Sequence, residues 1–404
     1  MNGSLPVALI LSVGLLYLSL PLLSVILSVL SFRRGVRAEP AEVRASASPP
    51  RLLFLIPAHD EELLIDSCVR SVTDLDYPSD AVGVVVVADN CEDGTPEMAR
   101  RAGATVLERH DPSRRGKPWA LAWALERVPL SEWDACIILD ADSVVAPDFG
   151  RALAAAAPLR SKACQAYFGI RNEWESWLTR LAGLLTRMRY EVGYPLKRAA
   201  GLNCPLTGNG MCIGADLLAG RGWSSFSLTE NWELYAEYTV AGIEIDYVPG
   251  ARLLSEEAAT PAQGRTQRRR WLAGRSRVFR IWTPRLLGSH VSFRQKIDGL
   301  AELGGASPVL HLVLATIAGV LSLWLLDGGL SVLLAVLALV SLAPEVVAVV
   351  VVLLRHPRPG SAMLAFLRLP GYALWRVLVA GGTLLGRGER EWRKTSRERS
   401  PGPR

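Results

Sequence analysis

Three hydrophobic patterns follow one another along the chain. Leu5–Phe32 is an unbroken run of 28 residues without a charge, longer than the roughly 20 apolar residues a helix needs to cross a bilayer. From Arg51 to about Glu257 the apolar stretches shorten and alternate with amphipathic ones. Leu52–Ile56, Val82–Val87, Thr105–Glu108 and Cys136–Leu139 predict strands, with helices between them near Glu62–Ser71, Pro96–Ala102 and Lys117–Glu126. Such alternation implies right-handed crossovers and a Rossmann-like α/β fold with a mostly parallel sheet. Long apolar runs return at Ser307–Leu326 and, after an Asp327-Gly328-Gly329 turn, at Leu330–Leu354. Pro344-Glu345 interrupts the latter, either as a helix break near the interface or as an ionisable group facing an acceptor path. Ala362–Gly386 is apolar but holds Arg368, Pro370 and Arg376, which predicts an interfacial or re-entrant helix rather than a third span.

Charge orients these segments. Arg33, Arg34 and Arg37 follow the first apolar run, the reverse of a cleaved signal peptide, so the run reads as an uncleaved anchor with the next domain in the cytoplasm. Arg355, Arg358 and the basic tail Arg387–Arg399 belong on the same side. The expected organisation is an anchor over 1–32, a linker over 33–50 and a cytoplasmic domain over 51–257. Interfacial helices over 258–306, two spanning helices over 307–354, and an interfacial helix with a basic tail over 355–404 complete it.

The mean hydropathy of +0.22 and the sequence pI near 9.1 fit this membrane-bound reading. Lys and Arg gather beside the apolar runs and near Arg265–Arg280 instead of forming one long tract, a distribution suited to anionic lipid and not to nucleic acid. Six scattered cysteines without a CxxC pair and five histidines without ligand spacing imply reduced thiols and no zinc site.

Ligands of such sheets bind beyond the carboxyl ends of the strands. Three predicted strands end in acidic residues: IPAHDEE with Asp60 and Glu61, VVVVADNCEDGT with Asp89 and Asp93, and IILDADS with Asp140 and Asp142. One acidic residue at a strand end usually caps the next helix. Three sets at three ends point to a site. In LDAD the two carboxylates can share a hard cation, Mg²⁺ or Mn²⁺, with a diphosphate. Neither GxxxxGK nor a GxGxxG opening a helix occurs, so P-loop and dinucleotide readings lose their support.

These segments together resemble glycosyltransferase family 2, the membrane-bound branch with bacterial cellulose synthase, hyaluronan synthase and poly-N-acetylglucosamine synthase. IPAHDEE resembles the first strand motif, which implies donor contacts from Pro57, Ala58, Asp60 and Glu61. ADNCEDGT is similar to the uridine-contacting motif, with Asp89, and RRGKPWAL to the segment that brings Lys117 to the donor phosphates. LDADS resembles the metal-binding motif, with Asp140 and Asp142 as ligands. LTGNGMCIGADLL looks like the acceptor-lining segment, with Gly208, Asn209 and Gly210. LTENWEL stands where the family has TED, and QRRRW is similar to its Q-x-x-R-W signature, with Gln267, Arg270 and Trp271. Trp271 would also meet the acceptor, since an indole face suits stacking on a pyranose.

The resemblance implies a GT-A fold, an inverting reaction, a UDP-sugar donor and a polysaccharide or lipid-linked acceptor. A single-addition lipid glycosyltransferase and an inactive export scaffold are the alternatives. So few C-terminal spans imply a short product, a partner subunit or a homo-oligomer. The departure from the family is Asn231 in place of the TED aspartate, because a neutral amide cannot take the acceptor proton. Glu230 is the favoured replacement base, then Glu233, with Asn231 positioning the acceptor; Ser227-Leu228-Thr229-Glu230 also fits a capping box.

Overall fold

A computed structural model describes residues 4–32, 48–305 and 307–382; the arginines after the first apolar run and the basic tail lie outside them. At the centre is one eight-stranded sheet: β1 (Leu52–Ala58), β2 (Val82–Asp89), β3 (Thr105–Arg109), β4 (Ala135–Ile138), β5 (Ser143–Val145), β6 (Ala163–Ile170), β7 (Met211–Gly214) and β8 (Ile245–Ser255), in the order β3-β2-β1-β4-β7-β6-β8-β5. The first four strands pair in parallel, as their connections require. The other half is mixed, because β7 runs antiparallel to both β4 and β6.

Period-two alternation sends Leu52, Phe54 and Ile56 of β1 to one face and Leu53 and Leu55 to the other. The first face packs against α3 (Ile65–Thr73), α4 (Thr95–Arg101) and α6 (Phe149–Ala154). The second face packs against α5 (Lys117–Leu125), α9 (Ala215–Arg221) and α10 (Glu230–Val240), with α11 (Pro261–Gly288) and α12 (Phe293–Gly304) outside them. A strand buried on both faces reads as a continuous apolar run, which is why β1 was legible.

The first apolar run folds as two helices, α1 (Ser4–Leu18) and α2 (Leu20–Phe32), bent by 43°. Pro21 in the first turn of α2 lacks the N–H that would continue the helical ladder. Trp177–Arg187 (α7) continues through a π-helix, Met188–Gly193, into α8 (Tyr194–Ala199). Trp174 and Trp177, both half-buried, pack against the C-terminal helices and the turn between them. Trp174 stacks edge-on to His356 and Trp177 edge-on to Tyr372.

At the C-terminal end lie α13 (Pro308–Leu325), α14 (Gly328–Ser341) continuing into α15 (Ala343–Arg355), and α16 (Pro359–Ala365) continuing into α17 (Leu369–Gly382). By length and composition Pro308–Leu325, Gly328–Arg355 and Pro359–Gly382 are all sufficient to cross a membrane. The last is the segment read from sequence as interfacial.

Candidate active site

The carboxyl ends of β1, β2 and β4 open into a cavity of about 1550 Å³. Pro57 and Ala58 line it at the end of β1, Glu61 just beyond that strand, and Asp89 at the end of β2. Asp89 is buried; Arg109 Nη1 lies 2.5 Å from its Oδ1, and Asn90 Nδ2 donates to the same oxygen at 2.9 Å. Its charge is thus compensated from behind, while Oδ2 accepts the Gly116 N–H at 3.4 Å.

Gly116 has φ +108, a backbone suited to glycine, and turns the chain into α5 so that Lys117 reaches across the cavity. Lys117 Nζ donates to Asp140 Oδ1 at 2.5 Å and to the Gly208 carbonyl at 2.5 Å. Burial alone depresses the ammonium pKa, but Asp140, Glu230 and Asp142 outweigh it and hold the group above its ordinary value. After β4, the Asp140 N–H donates to Asn209 Oδ1 at 3.2 Å, and Asn209 Nδ2 donates to Ser143 Oγ at 2.8 Å. One amide therefore bridges both ends of the LDADS turn. Asp142 is buried and accepts Ser255 Oγ, from the end of β8, at 2.8 Å.

Asp140 and Asp142 both face the cavity with hard oxygen donors, and Asp140 already attracts a cation in Lys117. These donors fit a Mg²⁺- or Mn²⁺-sized ion shared with a phosphate group.

Helix α10 forms the opposite wall. Its N-cap is Thr229, and the Ser227 N–H donates to Glu233 Oε2 at 3.0 Å. The capping box read from Ser227 and Glu230 does not form, since Glu233 takes that backbone N–H and leaves Glu230 free of the structural role. Glu230 is buried and lines the cavity; burial raises its pKa above the ordinary carboxylate range, with Lys117 acting against the rise. Asn231 Nδ2 donates to the Leu206 carbonyl at 2.9 Å, which holds α10 to the Gly208 loop.

Helix α11 begins with a reciprocal cap between Thr260 and Gln263. Gln267, Arg270 and Trp271 line the cavity. Arg268 pairs with Glu257 at 3.0 Å and lies over the Trp271 ring, 5.2 Å from its centroid.

Strand-end carboxylates, a lysine among them and an arginine–tryptophan helix beside them thus line one cavity, with the charged and planar groups that could hold a phosphorylated ligand. Residues 49–274 match the family described as Glycosyltransferase like family 2. The chain belongs to glycosyltransferase family 2. It is 27% identical over 264 residues to a beta-monoglucosyldiacylglycerol synthase of Trichormus variabilis, across 63% of this chain and 55% of that protein. It is 24% identical over 240 residues to a probable glycosyltransferase, YdaM, of Bacillus subtilis, across 57% of this chain and 56% of that one. The match thus spans little more than half the length of these curated relatives. The fold is similar to that of the mannosyltransferase PcManGT from Pyrobaculum calidifontis, solved with GDP-Man and Mn²⁺. Its TM-score is 0.60 at 19% identity, over 95% of this chain and 99% of that one. The GT-A fold expected from the motifs is present.

Not every residue carried over from the family motifs reaches the cavity. Asp60, with φ +53, turns away to accept the Glu92 N–H at 2.8 Å, bracing the ADNCEDGT loop. Gly210, with φ +68, sits in the bend just before β7, where a Cβ would meet Leu253 Cδ2 at 2.4 Å. Glu233 faces Ser227 and is absent from the lining.

The glycosyltransferase cavity also extends where no motif pointed, towards the apolar helices. Pro21 and Ser24 of α2, Arg189 of the π-helix, Pro344, Glu345 and Ala348 of α15, and Tyr372 and Arg376 of α17 complete its wall. Ser24 Oγ donates to Asp298 Oδ1 at 2.7 Å, which ties the N-terminal helix pair to α12. Glu345 Oε1 lies 2.6 Å from Nδ1 of His311, which is itself buried. These wall residues come from four distant segments; Glu345 stands out in the sequence as an ionisable group inside an apolar run, and the others carry no local signature of a site.

Proposed function

We propose that this chain is an inverting glycosyltransferase that moves one hexose from a UDP-sugar to a lipid acceptor at the cytoplasmic face of the membrane. The observation carrying this reading is the continuity of the cavity, which runs from Asp89, Lys117 and Asp140 to Ala348 and Tyr372 on the apolar helices. The diacylglycerol-glucosylating relatives favour a lipid acceptor over a polysaccharide. In this reading residues 1–32 and 307–354 hold the catalytic domain on the bilayer.

In the proposed mechanism Asp89 receives the uracil, and Lys117 and Arg270 hold the donor phosphates by charge-assisted hydrogen bonds. Asp140 and Asp142 would hold Mg²⁺ or Mn²⁺, which when bound offsets the negative charge gathering on the departing nucleoside diphosphate. Trp271 offers its face to the sugar. Glu230 takes the proton from the acceptor hydroxyl as it attacks the anomeric carbon. A raised pKa suits a carboxylate to that task, because it makes the ionised group a stronger base.

The test uses purified protein in nanodiscs made from bacterial lipid, a panel of radiolabelled UDP- and GDP-sugars, and organic extraction followed by product sizing. Label in a lipid carrying one sugar is expected from a UDP-sugar. Label confined to a water-soluble polymer would overturn the lipid acceptor, and transfer from no donor would overturn the transferase reading itself.

A further inference from the structure

The membrane end of the cavity carries cationic groups that the donor does not account for. Arg189 projects from the π-helix, Arg275 from α11 and Arg376 from α17, and all three line the same cavity. Among the described residues, no carboxylate lies within ion-pair distance of any of the three. Arg275 instead donates to the carbonyls of Glu302 and Gly305, both at 2.8 Å, and its guanidinium lies 4.3 Å from the centroid of the Trp232 ring. Arg376 donates to Ser307 Oγ at 3.1 Å.

Each acid nearby already has a basic partner, although Asp298 Oδ2 and Glu345 Oε2 accept no hydrogen bond among the described residues. Lys197 bonds Asp298 and lies 3.4 Å from Glu302, and Glu345 is held by His311. Burial pulls the Arg275 pKa down to about 10; Glu302 acts against this, and the repulsion of Arg189 and Arg376 adds to it. Like charges gathered in a low-dielectric wall are costly unless an anion joins them.

A second observation is independent of charge. Tyr194, buried to within 2% of its surface, lines this cavity, and its hydroxyl has no hydrogen-bond partner. A buried hydroxyl without a partner is unfavourable, and because Tyr194 lines the cavity a ligand oxygen would satisfy this one. The segment that carries Arg189 and leads into Tyr194 is a π-helix, an irregularity that recurs at functional sites.

We infer that Arg189, Arg275, Arg376 and Tyr194 form a subsite for a phosphate-bearing lipid headgroup, so that the acceptor is an anionic phospholipid and not a neutral diglyceride. The inference rests on the transferase reading for the word acceptor; the subsite itself does not. Three guanidinium forks converging from separate elements suit the several oxygens of a phosphate. The surrounding α2, α15 and α17 give the acyl chains an apolar exit. Arg275 lies one turn beyond Trp271 on α11, which would place the phosphate beside the sugar site.

The experiment measures retention of dioleoyl phosphatidic acid and of dioleoylglycerol by the full-length protein in nanodiscs, using native mass spectrometry. Binding of UDP in Mn²⁺ is followed in parallel. Phosphatidic acid should be retained and dioleoylglycerol should not. Arg189→Gln and Arg376→Gln should each weaken retention by roughly 10- to 100-fold, as expected for hydrogen bonds to a charged group, while UDP binding stays at the wild-type level. Arg376→Lys should recover part of the loss. Equal retention of both lipids, or wild-type retention by both glutamine variants, would overturn the subsite. Displacement of phosphatidic acid by an equal concentration of inorganic phosphate would overturn its assignment to a lipid. Transfer to dioleoylglycerol that neither variant slows would sink this inference and leave the transferase reading standing. Arginine-dependent phosphatidic acid retention without sugar transfer from any donor would do the opposite.

Discussion

Gly274 of α11 packs directly against Thr229 at the start of α10, and filling it should separate fold from activity. A Cβ built at Gly274 of α11 would lie 2.5 Å from both Cγ2 and Oγ1 of Thr229, the N-cap of α10. Carbon atoms in contact prefer about 3.5 Å or more, so Gly274→Ala must move one helix against the other by about 1 Å. Thr229 is buried and stiff at χ1, which leaves it no easy retreat. Overpacking of this kind costs about 1–3 kcal/mol. Replacing a helical glycine with alanine returns about 1 kcal/mol, so the net destabilisation should be only about 0–2 kcal/mol. The catalytic cost is larger. Arg270 and Trp271 sit one turn before Gly274, and Glu230 directly follows Thr229. A 1 Å displacement between groups that must act together costs up to about 10²-fold in rate. Transfer from UDP-sugar should therefore fall by about 10²-fold, with a thermal midpoint lowered by only a few degrees. Thr229→Ala removes both clashing atoms and, because its hydroxyl has no partner, should be mild alone and restore much of the activity in the double variant. Wild-type transfer by Gly274→Ala, or a double variant as slow as the single one, would refute the argument.

Three further outcomes follow from the same geometry. Glu230→Gln should slow transfer by roughly 10²–10⁴-fold with little change in UDP affinity. In the wild type, kcat/KM should fall as pH drops through a value above the ordinary glutamate range, because burial raises this group and only its ionised form accepts a proton; that acid limb should be missing from whatever activity Glu230→Gln retains. EDTA should abolish transfer and Mn²⁺ restore it, with Asp142→Asn weakening UDP binding in Mn²⁺ but hardly without it; calorimetry reads both. Reporter fusions at Arg44 and Arg397 should both report the cytoplasm, and an external Arg397 would mean that Pro359–Gly382 crosses the membrane.

The donor end of the site was legible because each part of it is local. A fully apolar strand followed at once by polar residues marks a sheet's carboxyl edge, and β1, β2 and β4 all show that pattern. What sequence could not convey depends on partners far along the chain. Asn209 reads as an acceptor contact, yet its amide bridges Asp140 and Ser143 across some seventy positions. Sequence ranks Glu230 ahead of Glu233 as base without placing either, and only the path of the chain into α10 turns one to the cavity and the other to Ser227. The sheet reads as mostly parallel because its first half is; the later strands follow longer, less periodic segments, which hid the antiparallel β7. The membrane wall depends on a bend at Pro21 and a π-turn at Arg189, and neither has a sequence period of its own.

The central claim is that donor and lipid meet in one continuous cavity, and Ala348 offers the most direct test. This small, buried side chain lines the cavity on α15, far along the chain from every proposed donor contact. The deciding measurement is the rate of sugar transfer to lipid by Ala348→Trp in nanodiscs, normalised to its UDP binding in Mn²⁺. An indole there should block the membrane end, so the account predicts at least a tenfold loss of lipid product with UDP affinity unchanged. Lipid product formed at the wild-type rate, with the tryptophan in place and UDP bound normally, would contradict it.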